Sequence, residues 1–323
     1  MLYHQNKELN ISSDYPQVAI IILNWNGWQD TIECLESVYL ISYPNYKVLV
    51  VDNGSQDDSI KVIQEWIEVK SRDEKKREIN ITLIQNEINL GFAEGNNVGI
   101  KYALGNYDPD YILLLNNDTV VDSEFLNELI KVAEEDMSIG ILGPKTYLYN
   151  DPNRLQLVWI DVDLIKGRGR HIGSLQVDNG QYDFVNKDCD AVQGSCILIK
   201  KKLIEKVGFL DIMYYCYWEE TDFCFRAKKI GYKIAYIAKA KIWHKVSAST
   251  KKNKYIHDYW IIRNTFYFMK LHSSKYQQFF FFFYYFIFRL WFISSIALLY
   301  HRNLIEFKGI FKGTIDGLKV YWR

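Results

Sequence analysis

The sequence predicts an α/β protein: a mostly parallel sheet flanked by helices, followed by a C-terminal helical extension. Three observations lead there. Between Val18 and Gly143, short and nearly continuous apolar runs alternate with stretches of helical period. The runs end in Asn and Asp, polar residues of the kind that line ligand crevices at the carboxyl ends of parallel strands. After about Lys251 the composition turns sharply aromatic and apolar.

Val18–Leu23, Tyr46–Val51, Ile81–Ile84 and Tyr111–Leu115 read as strands, because unbroken apolar runs of this length suit a sheet covered on both faces. Trp28–Leu40, Asp57–Val69 and Ala93–Leu104 lie between them with helical spacing, which makes a βαβ series. Lys70–Glu78 is a charge run, read as a solvated loop or helix end. Asn150–Asp190 is rich in Gly, Asp and Asn and predicts irregular chain with a hairpin. Ala191–Ile199, Tyr232–Ile237 and Lys239–Trp243 read as further strands, and Glu219–Ile230 as a helix. The reading divides the chain into residues 1–250, a sheet domain, and 251–323, a helical aromatic-rich region.

Composition narrows the function classes. Thirty-nine Lys and Arg balance 39 Asp and Glu, so no polycationic character recommends nucleic acid as a partner. Five cysteines form no CxxC pair, which reads as reduced thiols in a cytosolic protein. Met1–Tyr15 is polar and lacks the apolar stretch of a secretory signal. The catalytic part is therefore expected to face the cytoplasm.

The strand ends carry the chemistry. The first strand runs into Asn24-Trp25-Asn26-Gly27, with neither GxGxxG nor GxxxxGK[ST], so dehydrogenase and P-loop readings lose their main support. The second ends in Asp52-Asn53-Gly54-Ser55. A turn and helix cap explains Ser55 or Asp57, but explains Asp52 less well. Asn89-Leu90-Gly91-Phe92-Ala93-Glu94-Gly95-Asn96-Asn97 offers backbone and amide donors to a diphosphate or sugar, although such loops are commonly plain turns. The fourth strand ends in Asn116-Asn117-Asp118, which places a carboxylate where Mg²⁺ or Mn²⁺ would find an oxygen ligand.

The ordered succession IILNWNG, VVDNGSQDDS, NLGFAEGNNVGI, LLLNNDTVVD and GFLDIMYYCYWEETDFCFRAKKIGYKIAYIAKAKIWH resembles the family 2 glycosyltransferases of the GT-A fold, rhamnosyltransferase-like in pattern. The likeness covers roughly Gln17 to Arg263. It implies that Asp52 recognises the nucleobase, that Asp118 holds the divalent ion, and that His244 helps to hold the ion or the diphosphate. Asn116-Asn117-Asp118 departs from a strict DxD motif by one carboxylate. The resemblance puts Glu220 on the catalytic-base position, with Glu219 as runner-up. It also groups Asn24, Asp52, Asn53, Ser55, Asn89, Gly91, Asn96, Asn97, Asn117 and Arg263 around the nucleotide-sugar. A helix N-terminus favours acidic residues in any case, and a lone His is usually structural. Asp222 and Arg226, at i and i+4, read as an ion pair on the helix surface.

The expected activity is inverting, non-processive transfer of one sugar to a lipid-linked saccharide acceptor in surface polysaccharide assembly. The donor is dTDP-rhamnose by preference, or a UDP-sugar. No QxxRW of the processive synthases appears. Two alternatives stand beside it. A sugar-1-phosphate nucleotidyltransferase needs a basic Gly-rich loop after the first strand, and Asn24–Gly27 has no basic residue. A catalytically silent binding protein has no use for Asp118, Glu220 and His244 together.

Phe279–Tyr300 holds 22 residues with a single charge, Arg289, long enough to cross a bilayer. A central Arg is costly there, about 2.5–3.5 kcal/mol, and basic residues flank both ends. His301–Arg323 carries five Lys and Arg against two acids. An interfacial or re-entrant attachment to the inner leaflet is the expectation.

Overall fold

The computed structural model describes residues 15–72, 80–184, 187–246 and 254–323. The four apolar runs become β1 (Val18–Asn24), β2 (Tyr46–Asp52), β3 (Ile81–Gln85) and β4 (Tyr111–Asn116), parallel in the order β3-β2-β1-β4. Residues of β1 alternate between two cores. Val18, Ile20 and Ile22 pack with α1 (Trp28–Tyr39), α2 (Ser59–Ser71) and α4 (Phe125–Glu135). Ala19 and Ile21 pack with α3 (Gly91–Asn106), α5 (Lys201–Val207) and α6 (Glu219–Lys229). Both faces of the strand are covered, so no polar residue interrupts it.

Beyond β4 the sheet is mixed. β11 (Cys196–Lys200) lies antiparallel between β4 and β6 (Ile139–Leu148), and β12 (Lys233–His244) runs parallel to β6. β5 (Thr119–Val121) and β10 (Lys187–Asp188) pair with β12, and β7 (Asp151–Leu157) pairs with β6. β8 (Trp159–Asp163) and β9 (Arg168–Ile172) form a separate hairpin within the glycine-rich stretch.

The structure differs from the predicted elements at several places. Helix α4 is unpredicted, although Phe125, Leu126, Leu129, Ile130 and Ala133 bury one face at helical spacing. The last two predicted strands are one, β12, with an irregularity between Ile237 and Lys241 that keeps both halves on β6. β11 starts at Cys196 because Gln193-Gly194-Ser195 turns the chain first. The charge run begins in the last turn of α2, and the rest of it falls outside the described residues, as does most of Met1–Tyr15.

The C-terminal region forms three long helices: α7 (Lys254–His272), α8 (Lys275–Tyr300, with π-helical turns over Tyr285–Arg289 and Ile296–Tyr300) and α9 (Leu304–Trp322). Gly309 and Gly313 of α9 lie against Tyr255 and Tyr259 of α7; a Cβ on Gly313 would sit 2.7 Å from the Tyr259 carbonyl oxygen. That close approach leaves no room for a side chain. Phe266, Phe281, Tyr285 and Ile310 close a third core, which also takes in Val162 and Leu164 of the hairpin and Trp218 and Phe225 beside α6. The boundary read from composition near residue 250 lies in the segment outside the described residues. The helices beyond it pack directly onto the sheet domain.

Candidate active site

The carboxyl ends of β1, β2 and β4 meet in a network of buried amides. Asn24 donates through Nδ2 to Asp52 Oδ2 (2.7 Å) and Ser55 Oγ (3.2 Å), and accepts from Thr31 Oγ1 (2.7 Å). Ser55 donates its backbone N–H to Asp52 Oδ1 (2.9 Å). Asp52 has no exposed surface, so a nucleobase that bonds it must share or displace Asn24 or Ser55. Asn117 reaches back to Thr31 Oγ1 (3.0 Å) and joins the β4 end to α1. Beside this network Trp25 stands half exposed. The sequence reading does not single it out; an unburied indole at a strand's carboxyl end is the signal that finds it.

The remaining amides of the predicted donor loop are occupied by the chain itself. Asn53 ties β2 to that loop, donating to Asn89 Oδ1 and the Gly91 carbonyl (both 3.0 Å). Asn89 accepts the Gly91 N–H (2.8 Å). Asn96 bonds the Phe92 carbonyl one turn back, and Asn97 exchanges two bonds with the Leu210 backbone. Gly91 has φ +81°, and a Cβ there would fall 2.5 Å from the Tyr215 ring. Both facts require glycine. These residues shape the site's walls in this conformation.

Antiparallel pairing of β5 with β12 sets Thr119 opposite His244, which brings His244 to Asp118, 126 residues away in sequence. His244 Nε2 lies 3.0 Å from Asp118 Oδ1, and its Nδ1 lies 2.8 Å from Gln156 Oε1. With the Gln156 amide oxygen taking the Nδ1 proton, an assigned orientation, the Nε2 lone pair faces a carboxylate. That edge is satisfied by a proton or by a cation. The oxygen and nitrogen donors with an outer amide orienting the imidazole suit a divalent ion. Among the described residues no group of three or more His, Cys, Asp or Glu gathers, so an ion held by this pair would need further ligands from beyond it.

Glu219 and Glu220 open α6 behind a contorted loop. Tyr215, Tyr217 and Trp218 have φ of 61°, 68° and 76°, three left-handed non-glycine residues in four positions. Each costs about 1–3 kcal/mol and persists only where its surroundings dictate it. Glu220 packs against Gly194, whose neighbour Ser195 accepts the Asn116 N–H (2.9 Å) at the end of β4. Thr221 Oγ1 donates to Glu220 Oε1 (3.1 Å). Glu219 is buried, and its Oε2 finds no partner among the described residues. Burial and the charge of Glu220 push the Glu219 carboxyl well above the usual range. Burial raises Glu220 as well, partly offset by backbone N–H groups, the Thr221 hydroxyl and Glu219. Both carboxyls are thus raised, Glu219 the more strongly, and two adjacent buried acids disfavour being charged together.

Asp222 corrects an expectation. Arg226 does bond it (2.7 Å, Nε to Oδ2), yet the carboxylate is wholly buried, not on the surface. His272 at the end of α7 supplies a second contact (2.6 Å, Nε2 to Oδ1), and Tyr214 OH a third. Burial pushes Asp222 up, but His272 and Arg226 outweigh it and hold the carboxyl low. Arg263, grouped with the nucleotide in the sequence reading, is buried in α7 with Nη1 on the Met213 carbonyl and Asn264 Oδ1. Its guanidinium faces the loop before Glu219.

Known proteins share this architecture. Residues 19–208 match the sequence description "Glycosyl transferase family 2". The low-salt glycan biosynthesis hexosyltransferase Agl10 of Haloferax volcanii is 27% identical over 213 residues, 66% of this chain and 62% of that protein. The poly-beta-1,6-N-acetyl-D-glucosamine synthase of Staphylococcus epidermidis is 22% identical over 242 residues, 74% of this chain and 53% of the other. The chain thus spans less than two thirds of either relative. Among solved structures, a Pyrobaculum calidifontis mannosyltransferase in complex with GDP-Man and Mn²⁺ superposes with a TM-score of 0.61 at 14% identity, over 95% of this chain and 88% of that one. S. aureus TarS 1–349 with UDP-GlcNAc superposes at 0.60 and 15% identity, over 94% and 81%.

Proposed function

The chain belongs to glycosyl transferase family 2, and we propose that it transfers one sugar from a nucleotide-sugar to a lipid-linked saccharide acceptor in glycan assembly, without processive elongation. The observation that carries this reading is the placement of two unlike centres at the β4 end: the Asp118–His244 pair, and a Glu219–Glu220 pair packed one residue from Asn116. Asp118 and His244 would hold a divalent ion, which would supply positive charge to a departing diphosphate. Glu220 takes the proton of the acceptor hydroxyl as that oxygen attacks the anomeric carbon. Attack opposite the leaving group inverts the anomeric centre. A panel of nucleotide-sugars offered to the purified chain tests the reading, with dTDP-rhamnose favoured over UDP-sugars by the motif pattern. Hydrolysis or transfer of none of them would overturn it.

The nucleotide is read by Asp52 and by Trp25, whose half-exposed indole offers a stacking face beside the Asn24–Ser55 network. Asp52→Ala and Trp25→Ala are each expected to weaken binding of the free nucleoside diphosphate about tenfold or more and to leave the metal requirement in place. Unchanged affinity in calorimetry returns both residues to a purely structural role.

The acceptor side is taken to lie against a membrane. Helix α8 is long and apolar enough to cross one, yet it packs one face on α7, α9 and the hairpin. Arg289 turns to that inner face and donates to the Gly167 carbonyl (2.8 Å). Phe279, Phe283, Phe288, Trp291 and Phe292 are each more than half exposed along the helix. This supports an in-plane attachment to the cytoplasmic leaflet, because spanning would strip α8 from its packing. The full chain is expected to sediment with vesicles containing anionic lipid, and Phe283→Ser/Trp291→Ser/Phe292→Ser to stay in solution with its melting temperature unchanged. A C-terminal tag found outside the cell would establish a spanning helix instead.

A further inference from the structure

We infer that Asn264 of α7 is the positioning residue for the catalytic base, acting through the backbone of the loop that delivers Glu219 and Glu220. The inference rests on the reading of Glu220 as that base. Asn264 is wholly buried, and its Nδ2 lies within hydrogen-bond distance of three of four consecutive loop carbonyls: Tyr214 (2.8 Å), Cys216 (2.8 Å) and Tyr217 (2.9 Å). Its Oδ1 accepts from Arg263 Nη1 (2.8 Å), and the same guanidinium nitrogen also holds the Met213 carbonyl. The one intervening carbonyl, that of Tyr215, points the other way. It accepts from the N–H groups of Phe92 (2.7 Å) and Ala93 (3.1 Å) at the start of α3. The loop's carbonyls are therefore divided between α7 and the helix that follows the donor loop.

This arrangement explains how three left-handed residues persist directly before α6. A carbonyl that swings with such a residue needs a donor on the far side, and the Asn264 amide provides it for three of them. The Tyr215 ring is clamped as well: it stacks on Trp260 of α7 with centroids 4.8 Å apart and covers Gly91 from the other side. About two turns beyond Asn264, His272 fixes Asp222 in the first turn of α6. Helix α7 thus holds both ends of the segment that aims Glu220, while no bond of Asn264 or Arg263 goes to a residue of the Asp118–His244 pair. The expected signature is loss of turnover with donor binding kept.

The test compares Asn264→Ala and Asn264→Asp with the full-length wild type. Asp has the same shape but no N–H pair, so a space-filling role predicts wild-type turnover for it. Both variants are expected to lose about 10²-fold in kcat, the scale of a misplaced catalytic group, with affinity for dTDP or UDP and the donor KM within about twofold of wild type. Their hydrogen–deuterium exchange should quicken over residues 208–222 and at Phe92 and Ala93, and nowhere else, a readout that needs no donor. Arg263→Met, which removes the brace and leaves the amide, should show the same pattern more weakly; it also serves if the Asn264 variants do not fold. Wild-type kcat in Asn264→Asp, or unchanged exchange across 208–222, overturns the inference. Weakened nucleotide binding in Arg263→Met makes Arg263 a phosphate contact and overturns it too. Failure of the underlying reading looks different: Glu220→Gln would then remain active.

Discussion

Glu220→Gln is expected to lower turnover by about 10²–10⁴-fold, the usual contribution of a general base, while the variant still binds nucleotide and metal. The amide keeps the shape and the bond from Thr221, but cannot take a proton. The neighbouring carboxyl sharpens the test. Glu219 is the deeper of the two and the more strongly raised, by burial and by the charge beside it. Its side chain offsets part of the burial that raises the base. Activity requires Glu220 ionised, so it should rise with pH along an acidic limb lying above the ordinary Glu value of 4.5. Glu219→Gln preserves a donor and should leave that limb nearly in place. Glu219→Ala removes the donor and should move it to higher pH. A dead Glu219→Gln beside an active Glu220→Gln would transfer the base by one residue.

How much of this was legible before the structure depended on how local the determinants are. β1 and β4 are buried on both faces, so their sequences are apolar to the last residue, as is β2 after Lys47, and the polar residues at their ends stand out as strand-end groups. Asp52 and Asp118 stand out that way. Asp118 and His244 lie 126 residues apart, and only the β5–β12 register joins them; no spacing rule contains that pairing, and the family resemblance alone suggested it. Asp222 and Arg226 show the opposite failure. Their i,i+4 spacing correctly implied a pair, but spacing says nothing of what covers a helix face, and α7 buries this one. Asn53, Asn89 and Asn97 look like ligand-binding amides in sequence, whereas here they bond the backbone that shapes the loop. Asn264 and Trp25 were passed over for a related reason. An amide inside an apolar helix and an indole in a turn acquire meaning only from what stands opposite them.

Asp118→Ala should lower donor hydrolysis and transfer by about 10³-fold, the scale of several kcal/mol that a divalent ion contributes to a departing diphosphate. Among the described residues two donors stand at this centre, Asp118 just after β4 and His244 at the end of β12. Loss of the carboxylate leaves a single imidazole, too little to retain a hard cation against water. His244→Ala keeps the carboxylate and should lose less. Gln156→Ala removes only the group that orients the imidazole and should cost about 10–100-fold in metal affinity. The order Asp118, His244, Gln156 is therefore expected both for activity and for the Mn²⁺-dependent gain in nucleoside diphosphate affinity measured by calorimetry, which needs no turnover. The ion's position also predicts how the two centres divide the work: Asp118→Ala should erase the metal-dependent part of nucleotide binding, whereas Glu220→Gln should leave it whole. Full activity in excess EDTA, or equal nucleotide affinity with and without Mn²⁺ in the wild type, would remove the ion from the reaction and leave Asp118 and His244 as an ordinary buried pair joining β12 to the end of β4.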